Sequence, residues 1–329
     1  MPVISICLSP GLQRSVIIDT LIPGEVNRLR SVVVDVAGKG VNVCRVLQRL
    51  GVDAICLAQG GSNADEIMAL AAAEGLNLRL IASSGTLRTC TSIIETSLVS
   101  GRRVTELVEP SSAVDDGCVA ALSEAVSEAL PTASALVIAG SQAPGYPPGY
   151  QAQLAGLAHQ AGVPVAVDLQ GPALAGVLAM RPALVKINLA EFVATFLADR
   201  FHGGEHSGML AQPALAAELV AAIAQVSRAH AATSFVLTRG ANSIVLARDG
   251  QSRIVAVTPL VASEVLSPIG SGDSFLAGMV ARLLQSGYGD WGHLTLDSLE
   301  DASALATACA QSNARTARPG FLEPTFDQR

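Results

Sequence analysis

The stretch Ser267-Pro268-Ile269-Gly270-Ser271-Gly272-Asp273-Ser274-Phe275-Leu276-Ala277-Gly278 puts two glycines and a carboxylate at the mouth of an apolar helix. Leu276, Met279, Val280 and Leu283 or Leu284 recur behind it at helical spacing. This predicts a helix starting near Gly272 with that face buried. The first turn of a helix leaves backbone N–H groups unpaired, and the summed peptide dipole favours negative charge there. Glycines let a phosphate reach that backbone with no Cβ in the way. A carboxylate is an odd companion in such a place, because Asp273 repels a phosphate that is merely bound. The pairing makes chemical sense if Asp273 takes a proton from a hydroxyl while the amides hold charge developing on a transferred group. Phosphoryl transfer is one reading. The other is that Asp273 only favours the helix start and the glycines only turn the chain; short Gly-rich matches leave both open.

Positive charge is written almost wholly as arginine: 19 arginines against two lysines, Lys39 and Lys186. An ammonium is a compact, mobile point charge that can follow a phosphate, which the planar guanidinium does less well. Lys39 sits in Val36-Ala37-Gly38-Lys39-Gly40-Val41-Asn42, followed by an amphipathic run through Val43, Val46, Leu47 and Leu50 that stops at Gly51. That is a second glycine turn opening a helix. The G-x-x-x-x-G-K-[ST] spacing of a P-loop is absent, and no G-x-G-x-x-G follows a strand here. Lys186 sits in Leu184-Val185-Lys186-Ile187-Asn188-Leu189-Ala190-Glu191, a strand end running into a helix start. Asn188 is placed to cap that helix with Glu191 at the capping-box position. The pair is either only a cap, or it also orders a hydrated magnesium near nucleotide phosphates.

The rest of the chain supplies the frame. With 329 residues, half of them hydrophobic and only 3% aromatic, it is large enough for one big α/β domain or two modest ones. Apolar β-rich runs at 3–8, 54–58, 135–139, 163–167, 183–187 and 235–238 alternate with helical patterns near 41–50, 65–75, 116–130, 148–161, 172–180, 189–198 and 209–229. That order predicts a mainly parallel sheet with helices on both faces. Strands at 243–248 and 253–258 read as a hairpin turned at Asp249-Gly250, and helices near 272–287 and 298–313 finish the chain. Segments 14–36 and 88–108 carry short β-branched stretches without helices between them, which predicts a small separate sheet suited to act as a lid. Asp199 to Gln212, with three glycines and two histidines, reads as a mobile loop.

Other function classes recede. The net charge of −7 argues against general nucleic-acid binding. No uninterrupted apolar run reaches the ~18 residues that span a bilayer, and the N-terminus reads as a buried strand rather than an export signal. Cys7, Cys44, Cys56, Cys90, Cys118 and Cys309 form no C-x-x-C pair, and His202 and His206 give the only histidine spacing. Reduced core cysteines and a soluble, cytoplasmic protein are expected.

Taken in order, these segments resemble the PfkB (ribokinase-like) sugar kinases, in the branch holding 1-phosphofructokinase and tagatose-6-phosphate kinase. The resemblance runs almost end to end through Gly38-Lys39-Gly40-Val41-Asn42, Leu87-Arg88-Thr89-Cys90, Gly140-Ser141, Asp168, Lys186 to Glu191, Thr238-Arg239-Gly240-Ala241, Gly270-Ser271-Gly272-Asp273, and Asn313-Ala314 ahead of Gly320. It implies a single three-layer α/β/α kinase domain over 1–329 with the small sheet as lid. It implies Asp273 as the base and the amides of Gly270, Ser271, Gly272 and Asp273 as the anion hole. Asn188 and Glu191 are implied for Mg2+, with Lys186 near the nucleotide phosphates. Thr238, Gly240 and Asn313 are implied as ATP contacts. Lys39, Arg88, Asn42 and Arg28 are implied around the phosphate of a hexose phosphate, with Gly38, Gly40, Cys90, Gly140, Ser141 and Gln13 completing the substrate site. A homodimer through the lid sheet is a further expectation.

The resemblance implies an ATP-dependent kinase acting on a hexose monophosphate, fructose 1-phosphate first, with tagatose 6-phosphate, fructose 6-phosphate or an unphosphorylated sugar or nucleoside as alternatives. The departures bear on the substrate. The family's N-P-x-x-D, whose Asp grips sugar hydroxyls, reads Ser9-Pro10-Gly11-Leu12-Gln13; Arg239 brings a charge near the nucleotide; Pro144 falls one position late.

Overall fold

In the computed structural model, residues 1–97, 102–201, 213–288 and 291–327 are described. Among the described residues, nine strands form the central sheet: β1 (Val3–Cys7), β4 (Ala54–Gln59), β5 (Leu78–Ile81), β8 (Ala135–Ala139), β9 (Val165–Asp168), β10 (Leu184–Asn188), β11 (Ser234–Thr238), β12 (Ile244–Arg248) and β13 (Gln251–Val255). Their order is β13-β12-β11-β10-β9-β8-β1-β4-β5. Pairing is parallel from β5 through β11 and antiparallel for β12 and β13. The hairpin turns at Asp249 and Gly250, both at positive φ, as a two-residue I′ turn requires.

The helices cover both faces. Alternate side chains of β1 show why: Val3 and Cys7 join one core, Ile4 and Ile6 the other. The first core is closed by α1 (Lys39–Arg49), α2 (Ala64–Glu74), α8 (Ser271–Gln285) and α9 (Leu296–Ala314). The second is closed by α3 (Asp116–Ala129), α4 (Tyr150–Gln160), α5 (Gly171–Leu178), α6 (Leu189–Phe196) and α7 (Pro213–Ala229). The α/β alternation expected from the sequence is therefore the observed three-layer architecture.

A separate four-stranded sheet of order β3-β2-β6-β7 is built from β2 (Gly11–Ile18), β3 (Ser31–Ala37), β6 (Arg88–Glu95) and β7 (Arg103–Val108). One difference from the sequence reading is β5, whose Leu-Arg-Leu-Ile is short and lacks β-branched residues ahead of Ile81; parallel pairing to β4 makes it a strand. The small sheet begins at Gly11 rather than at 14. Most of the expected loop 199–212, including His202 and His206, lies outside the described residues. Cys7, Cys44, Cys56, Cys118 and Cys309 are buried and unpaired, as the apolar surroundings foretold. Among the described residues no helix is long and apolar enough to cross a membrane.

Candidate active site

Helix α8 begins where the opening stretch predicted. Gly270 is its N-cap at φ 83°, and a Cβ there would stand 2.7 Å from Pro319 Cα, so both conformation and space require glycine. The amide of Ser271 already donates to Pro268 O at 3.2 Å. The expected four-amide anion hole accordingly narrows by one donor. Gly272 and Asp273 lie in the first turn and have no carbonyl four residues back within the helix. Asp273 is buried, and one of its oxygens, Oδ2, accepts from Asn42 Nδ2 at 2.8 Å. Burial pushes its carboxyl up to about 6, helped by Asp168 and opposed by Lys39, the Asn42 hydrogen bond and Lys186. A carboxylate poised there is ionised at neutral pH yet basic enough to accept a hydroxyl proton.

The two lysines of the chain converge on one carboxylate. Lys186 Nζ donates to Asp168 Oδ2 at 2.7 Å, and Lys39 Nζ reaches Asp168 Oδ1 at 3.5 Å. Burial disfavours ionised Asp168, but Lys186 and Lys39 outweigh it and hold the carboxyl below its ordinary value. Burial likewise pulls the Lys39 ammonium down, and Asp168, Asp273 and Glu191 overcome that. Lys186 also reaches over the first turn of α8: a Cβ on Gly272 would lie 2.8 Å from its Nζ. The absence of a side chain at 272 keeps the ammonium and the first-turn amides facing the same space.

That space is a cleft of about 580 Å³ between the two sheets, lined by Lys39, Arg88, Asp168, Lys186, Asn188 and Asp273 among others. Gln13, Gly38, Asn42 and Cys90 line it as well. Gln13 donates through Nε2 to Ser92 Oγ at 2.8 Å, which leaves its carbonyl oxygen as the acceptor it offers elsewhere. Glu106 of β7 also lines the cleft, and partial burial pushes its carboxyl up.

A second cavity, about 300 Å³, opens on the other side of Gly272. Its walls are largely apolar, with Val257, Leu260, Val265 and Phe275, and Thr238 and Gly240 lie at its edge. Pro268 and Gly272 border both spaces, so a long ligand can lie with an apolar ring in one and a charged end over α8 in the other. Arg239, between Thr238 and Gly240 in sequence, donates to Ser243 Oγ at 2.8 Å.

At the end of β10 the capping box is formed as expected: Asn188 Oδ1 accepts from the Glu191 amide at 2.8 Å and Glu191 Oε2 from the Asn188 amide at 3.3 Å. Asn188 faces the main cleft, and Glu191 faces an adjoining recess of about 420 Å³ that shares Lys39 and Asp168. Gly140 and Ser141 line that recess, not the main cleft. No cluster of three His, Cys, Asp or Glu suited to hold a metal occurs among the described residues. This donor set fits an ion held mainly by water and ligand phosphates with one carboxylate, the usual habit of Mg2+.

The structure places three of the expected site residues away from the walls of these cavities. Asn313 is wholly buried and spends both ends of its amide inside the fold: Nδ2 donates to Ile269 O at 2.8 Å, and Oδ1 accepts from the Gly320 amide at 2.6 Å. It braces the α8 loop and does not line the apolar cavity, where Thr307, Ala310, Gln311 and Ala314 present themselves instead. Gly40 is buried in the first turn of α1, where a Cβ would stand 2.3 Å from Ile6 O; it serves helix-on-strand packing. Arg28 lies in the exposed connection between β2 and β3 and does not line the cleft. The sequence reading gave no role to Asp168 or Glu106. Asp168 ends β9, and ligands of such sheets gather beyond the carboxyl ends of the strands, a signal that points to it. Glu106 carries no such mark, because only strand pairing brings it to the cleft.

Residues 6–325 match the family described as pfkB family carbohydrate kinase. A 1-phosphofructokinase of Rhodobacter capsulatus is 31% identical over 281 residues, covering 84% of this chain and 82% of that protein. A 1-phosphofructokinase of Xanthomonas campestris pv. campestris is 27% identical over 310 residues, covering 93% and 88%. The crystal structure of a possible 1-phosphofructokinase from Thermotoga maritima superposes with a TM-score of 0.79 at 20% identity, covering 98% of this chain and 94% of that one; it speaks to the fold.

Proposed function

The chain belongs to the pfkB family of carbohydrate kinases and is a sugar-phosphate kinase; on that premise we propose that it converts fructose 1-phosphate and ATP to fructose 1,6-bisphosphate and ADP. The observation that carries this reading is the meeting, in one cleft, of a buried carboxylate at a helix N-terminus with Lys39 and Arg88. A kinase for a free sugar has no need of cations around an acceptor phosphate.

The chemistry follows from the positions. Adenine occupies the apolar cavity beside Thr238 and Gly240, and the triphosphate passes over Gly272 into the cleft. Lys39 and Arg88 take the acceptor's phosphate and so aim its free hydroxyl at Asp273. Asp273 accepts the hydroxyl proton as the oxygen attacks the γ-phosphorus in line, and the bond to the β-phosphate oxygen breaks. The amides of Gly272 and Asp273, with Lys186 beside them, meet the charge spread over the transferring group. Mg2+, when bound, would neutralise phosphate charge; Asn188 and Glu191 would hold it through water. The small sheet closes over the acceptor and excludes water, which otherwise competes as acceptor.

Two copies associating through the small sheet form a homodimer in this reading. Val32, Val33 and Val34 of its edge strand stand 37–40% exposed, an apolar edge that a second copy can cover. The test of the activity is a coupled ADP-release assay across ketohexose phosphates and free sugars. Turnover led by fructose 1-phosphate is expected. Equal turnover on free fructose, or none on any phosphate by a folded protein, sinks the proposal.

A further inference from the structure

The orientation of the base depends on a residue that touches no substrate. Asn42 Nδ2 donates to Asp273, and its other amide end, Oδ1, accepts from Arg45 Nη1 at 2.8 Å. A guanidinium has donors only, so whatever end of the Asn42 amide meets Arg45 must be its oxygen. The NH2 end is thereby turned toward Asp273. With the amide reversed, an oxygen would face the carboxylate and the hydrogen bond would be lost.

Arg45 is itself firmly placed. It is 7% exposed, one turn along α1 from Asn42. Its Nε donates to Glu74 Oε1 at 2.5 Å, and its Nη2 to Val36 O at 2.8 Å. Nη1 also reaches Pro319 O at 3.3 Å, and the ring of Phe321 lies 4.4 Å from its Cζ. Val36 belongs to β3, so the same fork joins the root of the small sheet to the base. Pro319 packs against Gly270, so it also joins the loop that starts α8. Only a planar, five-donor group can serve these acceptors together; a lysine cannot.

We propose that Arg45 is a positioning residue for catalysis: it fixes the Asn42 amide so that one oxygen of Asp273 is held while the other is left for the acceptor hydroxyl. This rests on the kinase reading and goes beyond it by naming what holds the base in register. A purely structural Arg45–Glu74 pair is the competing account.

Arg45→Lys keeps charge beside Glu74 and removes the fork. Its kcat is expected to fall about tenfold or more, with KM for ATP within about twofold, because the lost contact acts on the chemical step. The acidic limb of the kcat profile should move to higher pH, because Asp273 loses a hydrogen bond that favours its ionised form. The other groups facing Asp273, namely Lys39 on α1, Asp168 on β9 and Lys186 on β10, are unchanged in this variant. The effect should vanish in an Asn42→Ala background, since both changes break one chain. Glu74→Gln separates the accounts: it should lower Tm while leaving the acidic limb in place. Arg45→Lys with wild-type kcat and limb, or with a full additional loss on top of Asn42→Ala, overturns the positioning role. A wild type without turnover on any sugar phosphate defeats the kinase reading itself, whereas an active wild type beside an unaltered Arg45→Lys defeats only this inference.

Discussion

Replacing Asp273 by Asn keeps the side chain's size and removes the group proposed to accept the hydroxyl proton. Loss of a positioned base costs ~10²–10⁴ in turnover. We expect kcat to fall by that factor while the Kd of a non-hydrolysable ATP analogue, measured by calorimetry, stays within about threefold. The pH profile comes from the same side chain. With its carboxyl at about 6, Asp273 is about one-tenth ionised at pH 5, so wild-type kcat there should be about tenfold below its plateau. The variant should lack that limb.

Stability should move the opposite way. The folded carboxyl lies above its ordinary 3.8, so the fold disfavours the ionised form. That penalty is full above about 6 and gone below the unfolded value. A rise of about two units corresponds to about 3 kcal/mol at neutral pH. Asn relieves this, and the rise is already net of what Lys39 and Lys186 contribute as neighbours of the charge. Thermal unfolding at pH 7.5 should therefore show a Tm equal to or above wild type, by several degrees at most. A variant that keeps its turnover, keeps the acidic limb, or unfolds well below wild type refutes this account of Asp273.

Lys39→Ala and Arg88→Ala should each raise KM for the sugar phosphate about tenfold or more with KM for ATP little changed, because the proposed phosphate site in the cleft loses one cation; a change confined to the ATP KM contradicts the placement. Asp168→Asn leaves Lys186 buried without its 2.7 Å partner, a type of loss worth about 3–5 kcal/mol, so Tm should drop by ~4–7 °C in a chain of this length. Because the folded Asp168 carboxyl is held below its ordinary value, its contribution is full at neutral pH and lost as pH falls through the acid range. The Tm gap between wild type and variant should therefore narrow on acidification; a gap constant down to pH 3 argues otherwise. Glu106→Gln should weaken sugar-phosphate binding severalfold, since it removes an anionic acceptor for sugar hydroxyls from the cleft wall; an unchanged KM removes Glu106 from the site.

Much of this was legible in the chain because it is local. A turn with glycines at 270 and 272 before an apolar stripe can only open a helix there, whatever packs on it. The same holds for the Asn188–Glu191 capping box, whose bonds span three residues, and for the Asp249-Gly250 hairpin. The α/β alternation follows from the period of apolar residues, and with it the two-faced sheet. What sequence could not supply are the meetings set by strand order. Lys39 lies 129 positions from Asp168, and Asp168 lies 18 from Lys186; the latter two meet because β9 and β10 pair side by side, and Lys39 reaches them from α1. Asn42 and Asp273 are 231 positions apart and touch only because α1 packs on α8. Asn313 reads as a ligand contact by its place in a motif, and only the fold shows its amide bonded at both ends, to Ile269 and Gly320. Short-range propensity fixes which segments are helices, strands and caps. Which charged groups share a low-dielectric cleft, and therefore which carboxylate becomes the base, is decided by packing over long separations.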